Sequence, residues 1–320
     1  MSHWKLSSIP PHDWTLCLDL SGYFDHEHIL DEIPKKGFVR PLWVGDRDSV
    51  VTVFFNGDAD QPEFHIQSAE ALSKDEIQLA NLQLSRMFGT DLDLRPLYDQ
   101  AAKDPVLGPL LEEHYGFKRM TRATLFEDIV NRIVEMQMAH KPTARKMMYA
   151  IRETYGTTVQ YEGKPLAAWP KPIQLMGADP ARIRTLGPTV RKGEYIAGLA
   201  SDIVGGNLNI EWLDRDATPA EFLEGISRVR GIGPVASQEL MLYRPRMDAI
   251  FPSNQTKGEE TGLRKWILLS YGKDPNKTSD REFQNVISAW KGYEAAAIEF
   301  LYMNYVMVEK KRRFEKKNLS

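Results

Sequence analysis

Cysteine is almost missing from this chain: Cys17 is the one thiol in 320 residues. A lone cysteine closes no internal disulfide and supplies no cysteine-based zinc or iron–sulfur site, so a reducing, intracellular compartment is expected. The seven histidines are scattered, without the short His or Cys spacings of a zinc site, and neither a metal nor a cofactor is expected. No apolar run approaches the ~20 residues that span a bilayer, and the first residues lack a basic-then-apolar signal segment, so no membrane partner is expected. A basic surplus is missing too, because 41 Lys and Arg stand against 44 Asp and Glu for a net charge of −3. That balance argues against a strongly basic nucleic-acid binder, although a local basic face coexists readily with an acidic remainder. Heptads, low-complexity tracts and internal repeats are also lacking.

What is present is an ordinary globular composition, 42% hydrophobic and 27% charged, in a chain long enough for two domains with real cores. Residues 1–90 read as an α+β unit. Trp14 to Leu20 and Val50 to Phe55 are rich in strand formers, Leu42-Trp43-Val44 leads through Gly45-Asp46-Arg47-Asp48 into the second of these, and Phe64-His65-Ile66 offers another strand. Ser73 and Glu76 then form a capping box ahead of a helix to Phe88. Residues 91–320 read as helical throughout. Thr124 caps a helix that carries Phe126, Ile129, Val130, Ile133 and Val134 on one face, and Asp179-Pro180 and Thr218-Pro219 open others. The chain ends in a basic run, Lys310 to Lys317, read as a solvated helix end or a non-specific phosphate contact.

The most informative stretch is Arg230-Gly231-Ile232-Gly233-Pro234-Val235, a tight turn between two helical patterns. Gly231 and Gly233 allow positive φ and close approach of a partner, and Pro234 suits the first position of a helix, where its missing N–H costs nothing. The first-turn N–H groups of that second helix have no intrahelical acceptor, and with the helix dipole they suit a phosphate.

In that setting the turn resembles the hairpin of helix-hairpin-helix DNA glycosylases, and the order of motifs resembles bacterial 3-methyladenine DNA glycosylase II within that superfamily. The resemblance extends over Phe88 to Tyr98, Asp104 to Leu110, Phe126 to Gln137, Leu186 to Ala200, the hairpin and Trp290 to Tyr293. It implies an N-terminal antiparallel sheet domain with helices, followed by an all-α glycosylase domain, acting as a monomer on duplex DNA that contains a damaged base, in a bacterial cytoplasm at the nucleoid. It further implies that Arg230, Gly231, Ile232, Gly233 and Val235 hold the phosphate backbone, that Gln137 fills the gap left by an extruded base, and that Tyr293 and Trp290 stack beside that base. Bifunctional relatives carry a lysine just after the hairpin glycines. Val235 stands there instead, so hydrolysis without a lyase step is expected.

The family's catalytic aspartate follows a Phe-Pro or Leu-Pro pair and precedes a Gly-Leu-Arg sequence. Here Phe251-Pro252 and Gly262-Leu263-Arg264 are both present, but the segment between them is long and contains no aspartate. Counting from the hairpin puts Asn254 or Gln255 at the acid's position, and counting back from Gly262 puts Glu260 there, with Glu259 beside it. A carboxylate stabilises the oxocarbenium charge of N-glycosidic cleavage, which a neutral amide does not. Glu260 or Glu259 makes the chain an enzyme in this reading. Asn254 or Gln255 makes it a DNA binder that releases no base.

Overall fold

The structure, a computed structural model, describes residues 1–21, 37–138 and 140–304. The basic run at 310–317 lies outside them. The chain opens with β1 (Ser2–Ser7), α1 (Trp14–Ser21), β2 (Gly37–Trp43), β3 (Asp48–Asn56), β4 (Glu63–Ser68) and α2 (Lys74–Phe88). It continues through α3 (Arg95–Ala101), α4 (Leu107–Glu113), α5 (Leu125–Glu135), α6 (Lys141–Tyr155), β5 (Thr158–Tyr161), β6 (Lys164–Ala167), α7 (Pro172–Leu175), α8 (Pro180–Thr185) and α9 (Val190–Val204). The last named helices are α10 (Ile210–Arg215), α11 (Pro219–Ser227), α12 (Pro234–Leu242), α13 (Leu263–Ser270) and α14 (Asp280–Ile287), and residues 294–304 are helical as well.

The first four strands form one antiparallel sheet in the order β1-β4-β3-β2. The hairpin read from Leu42 to Phe55 is there, with Leu42 opposite Ser49 and Phe38 opposite Val53, and Phe64 to Ile66 lies in β4. The expected capping box is also there: the Ser73 hydroxyl accepts from Glu76 N while the Glu76 carboxylate accepts from Ser73 N, and Gly89 ends α2 in the left-handed conformation. Such a cap contributes about 1 kcal/mol.

Two features differ from the sequence reading. Trp14 to Leu20 is helical, although its residues are strand formers. Asp13 decides the matter, since its carboxylate accepts from Leu16 N at 2.9 Å and its carbonyl accepts from Cys17 N at 3.0 Å. That turn puts Trp14 and Cys17 into the core on one helical face. The second difference is the β5–β6 hairpin inside the helical half. Glu162 and Gly163 both take positive φ, at 49° and 76°, the geometry of a two-residue hairpin turn. The hairpin leans on the sheet, with Thr52 Oγ1 donating to the Tyr161 hydroxyl at 3.3 Å.

One apolar cluster runs from Trp14 and Phe88 under the sheet to Ile133, Phe222 and Phe300 among the helices. Buried charges tie the halves together. Arg40 of β2 pairs with Glu127 of α5, and Arg86 of α2 meets Asp128 at 2.8 Å and Asp214 at 2.7 Å. Stranding one member of such a pair costs about 3–5 kcal/mol, so these contacts fix how the helices stand on the sheet.

Candidate nucleic-acid interface

Thr218 caps α11 with a reciprocal Glu221 contact, and the chain turns at Gly231 with φ 93° before Gly233 and Pro234 start α12. Gly231 is required twice over. Its φ disfavours any side chain, and a Cβ there would lie 2.3 Å from the Tyr195 ring. Gly233 faces open space, and Val235 is exposed beside it. Ile232 is buried and anchors the turn, while Arg230 is exposed. Thus the first turn of α12 presents its N–H groups to solvent with no side chain in the way.

Cations gather beside that turn. The guanidinium groups of Arg191 and Arg230 lie 5.6 and 5.7 Å from the centre of the Tyr195 ring, and Arg191 also donates to the Tyr195 hydroxyl. Their neighbour Lys192 has a different task. Its ammonium donates to Val134 O and Met136 O, each at 2.7 Å, and so closes the C-terminal end of α5. Partial burial lowers its pKa. The turn it secures continues into Gln137, an exposed non-glycine residue with φ 61°. Left-handed backbone at such a residue costs about 1–2 kcal/mol and is common where a surface serves a ligand.

The loop after Phe251-Pro252 is a miniature hairpin. Thr256 and Glu259 exchange backbone hydrogen bonds, and Lys257 and Gly258 form its tip with φ 55° and 85°. Glu260 closes the base of this hairpin from inside. One carboxylate oxygen accepts from Asn254 N at 2.9 Å, the other accepts from the Ser253 hydroxyl at 2.8 Å, and Arg264 lies 3.5 Å away. Glu260 is therefore a buried strut of the loop, whereas Glu259 and Gln255 stand in solvent. Asn254 is half-buried, with its amide nitrogen against Gly262 and without a hydrogen-bond partner among the described residues.

The two aromatic residues also separate. Trp290 is wholly buried, stacked on Tyr271 with ring centres 6.5 Å apart and donating to Val286 O at 3.2 Å. Its place is the core, so its ring offers no open face to a base. Tyr293 is half-buried at the start of the helix at 294–304.

A cavity of about 230 Å³ opens instead between α5, α12, α13 and the helix at 294–304. None of Glu260, Glu259, Asn254, Gln255, Trp290 and Tyr293 lines it. Trp266 and Tyr302 form an aromatic corner on its wall, with ring centres 6.1 Å apart at 89°. Arg132 and Glu239 pair at 2.6 Å across it, and Glu299 takes a hydrogen bond from Arg119, whose guanidinium lies 3.9 Å over the Tyr243 ring. Burial pushes the Glu299 carboxyl up to about 7, and Arg119 offsets part of that rise. The residues involved come from five separated segments, which is why the sequence reading missed them. One signal was available: Glu299 is a lone charge in the run Ala295-Ala296-Ala297-Ile298-Glu299-Phe300-Leu301.

No protein-family model matches the chain. It is 26% identical over 216 residues to a DNA-3-methyladenine glycosylase of Bacillus subtilis, covering 67% of this chain and 68% of that protein. It is 26% identical over 205 residues to DNA-3-methyladenine glycosylase 2 of Escherichia coli, covering 62% of this chain and 66% of that protein. In structure it is similar to the 3-methyladenine DNA glycosylase of Archaeoglobus fulgidus, with a TM-score of 0.73, 18% identity, and coverage of 95% of this chain and 99% of that one. It is also similar to an 8-oxoguanine glycosylase/lyase of Clostridium acetobutylicum solved with double-stranded DNA, with a TM-score of 0.69, 15% identity, and coverage of 97% and 99%.

Proposed function

Taking as premise that the chain is a helix-hairpin-helix glycosylase in fold, we propose that it is a monofunctional DNA N-glycosylase of base-excision repair. It holds duplex DNA at Gly231 to Val235, extrudes an alkylated or deaminated base into the cavity, fills the gap with the Gln137 turn and hydrolyses the N-glycosidic bond. One observation carries this reading. Helix α12 begins at the hairpin and walls the cavity with Glu239 and Leu242. At 1.5 Å per residue, Val235 and Glu239 are about 6 Å apart along the axis, so a phosphate at the hairpin stands within a nucleotide's reach of the cavity. Val235 leaves no amine beside the hairpin for a Schiff base.

A second reading has an observation of its own. After Phe251-Pro252 the position where the resemblance implies the acid falls on Asn254 or Gln255, and the glutamates beyond them are spent in the loop or in solvent. On that ground the chain binds damaged or distorted duplex DNA and releases nothing. Base release from duplexes carrying alkylated, deaminated or oxidised bases separates the two readings. Release of any of them supports the enzyme. Salt-dependent duplex binding with no release from any lesion leaves the binder.

A further inference from the structure

We propose that Glu299 donates a proton to the departing base, and that the cavity is therefore built to release neutral damaged bases in preference to cationic alkylated ones. The inference rests on the glycosylase reading and deepens it by naming an acid and a substrate class.

Geometry carries the argument. Glu299 is 5% exposed and lines the cavity described above. Its Oε1 accepts from Arg119, and its Oε2 is buried and has no hydrogen-bond partner among the described residues. A buried carboxyl held at one oxygen by a guanidinium leaves the other as the place for a proton. The neighbouring charges on the cavity side are matched elsewhere: Arg132 by Glu239 at 2.6 Å, and Arg122 by Asp128 at 3.4 Å. Glu135, Tyr243 and Tyr302 complete the titratable groups on that side. On its other side Glu299 borders a smaller cavity shared with Arg86, Lys118, Arg244 and Arg246. Arg86 is matched by Asp128 and Asp214, Arg246 by Asp248, and Lys118 and Arg244 by backbone carbonyls. Arg119 is thus the cation in contact with Glu299, and desolvation holds the carboxyl near neutrality.

The chemistry divides the lesions. As the C1′–N bond breaks, its electron pair passes to the base. A base with a positive ring leaves as a neutral molecule and needs no proton. A neutral base leaves as an anion unless a proton arrives during cleavage. Here the Glu299 proton goes to the base, water adds its oxygen to C1′, and the proton that water loses passes to solvent, from which Glu299 is recharged. Water is consumed, and free base and a sugar hydroxyl are formed.

The test uses the full chain under single-turnover conditions. Duplexes carry one hypoxanthine, a neutral base, or one N7-methylguanine, a cationic one. Hypoxanthine release should fall about tenfold per pH unit above about 7, and E299Q should lose about a hundredfold or more, while N7-methylguanine release stays within about threefold in both comparisons. Equal loss on both lesions in a folded E299Q, or loss on neither, overturns the proposal. So does wild-type protein that releases only N7-methylguanine, an outcome that leaves the glycosylase reading standing. Wild-type protein that releases neither these nor any other damaged base takes both down. The wild-type pH profile decides the matter even where E299Q does not fold.

Discussion

Replacing Glu260 by Gln distinguishes a strut from a catalyst. In the structure its carboxylate accepts two hydrogen bonds inside the loop and balances Arg264, which also pairs with Asp280 at 2.6 Å. Bonds to a charged acceptor contribute about 1.5–3 kcal/mol and neutral ones about 0.5–1.5, so removing the charge while keeping the shape costs about 2 kcal/mol over the pair. In a chain of this length, roughly 1.5 °C is lost per kcal/mol, so the thermal midpoint should fall by about 3 °C. Ser253→Ala removes one of the same charge-assisted bonds and should cost about 1.5–3 kcal/mol, with the double variant less damaged than the sum. Base release, assayed well below the midpoint, should stay within about threefold of wild type. An unchanged midpoint together with release reduced by more than about a hundredfold would refute the strut and put the Glu260 charge at the sugar.

Four further outcomes follow from the interface and the core. Gly231→Ala drives a methyl into the Tyr195 ring at positive φ and should cost about 2–4 kcal/mol of stability in denaturant titrations. Gly233→Ala meets open space, so it should leave stability nearly unchanged and weaken duplex binding by blocking the phosphate approach. Arg191→Ala and Arg230→Ala should each lower the salt dependence of duplex binding by about one unit of log–log slope, whereas Lys192→Met, which touches only backbone carbonyls, should leave that slope intact. Cys17 is 1% exposed and burial pushes its thiol up to about 12, so thiol reagents should label it only on unfolding, as read by mass spectrometry across a denaturant series.

Local chemistry made much of the fold legible. The boxes at Ser73–Glu76 and Thr218–Glu221, and the prolines at 180, 219 and 234, mark helix starts by effects confined to one turn. Trp14 to Leu20 misleads because strand propensity reflects packing on a pleated surface, and a single cap at Asp13 outweighs it. Glu162-Gly163 was a hairpin signal in plain view, masked by helical neighbours on both sides. The candidate site was legible only where one segment builds it, at the hairpin. Glu260 shows the limit: counting back from Gly262 put a carboxylate at the position the resemblance implies, but spacing carries no direction, and the side chain turns inward to Ser253 and Asn254. The cavity needs Arg119, Arg132, Tyr243, Trp266 and Glu299 from distant segments, and no periodicity joins them.

The first two turns of α9 have a consequence for any mutational dissection of this surface. Through Tyr195 they brace the hairpin, where Gly231 rests on the ring, and three residues earlier, through Lys192, they clamp the carbonyls that lead into Gln137. The two points proposed to grip and to pry apart a duplex are thus mounted on the same few residues, which set the span between them. Loosening that mount changes the gauge of both at once, so a variant at Tyr195 that still binds DNA should hold it out of step with the cavity.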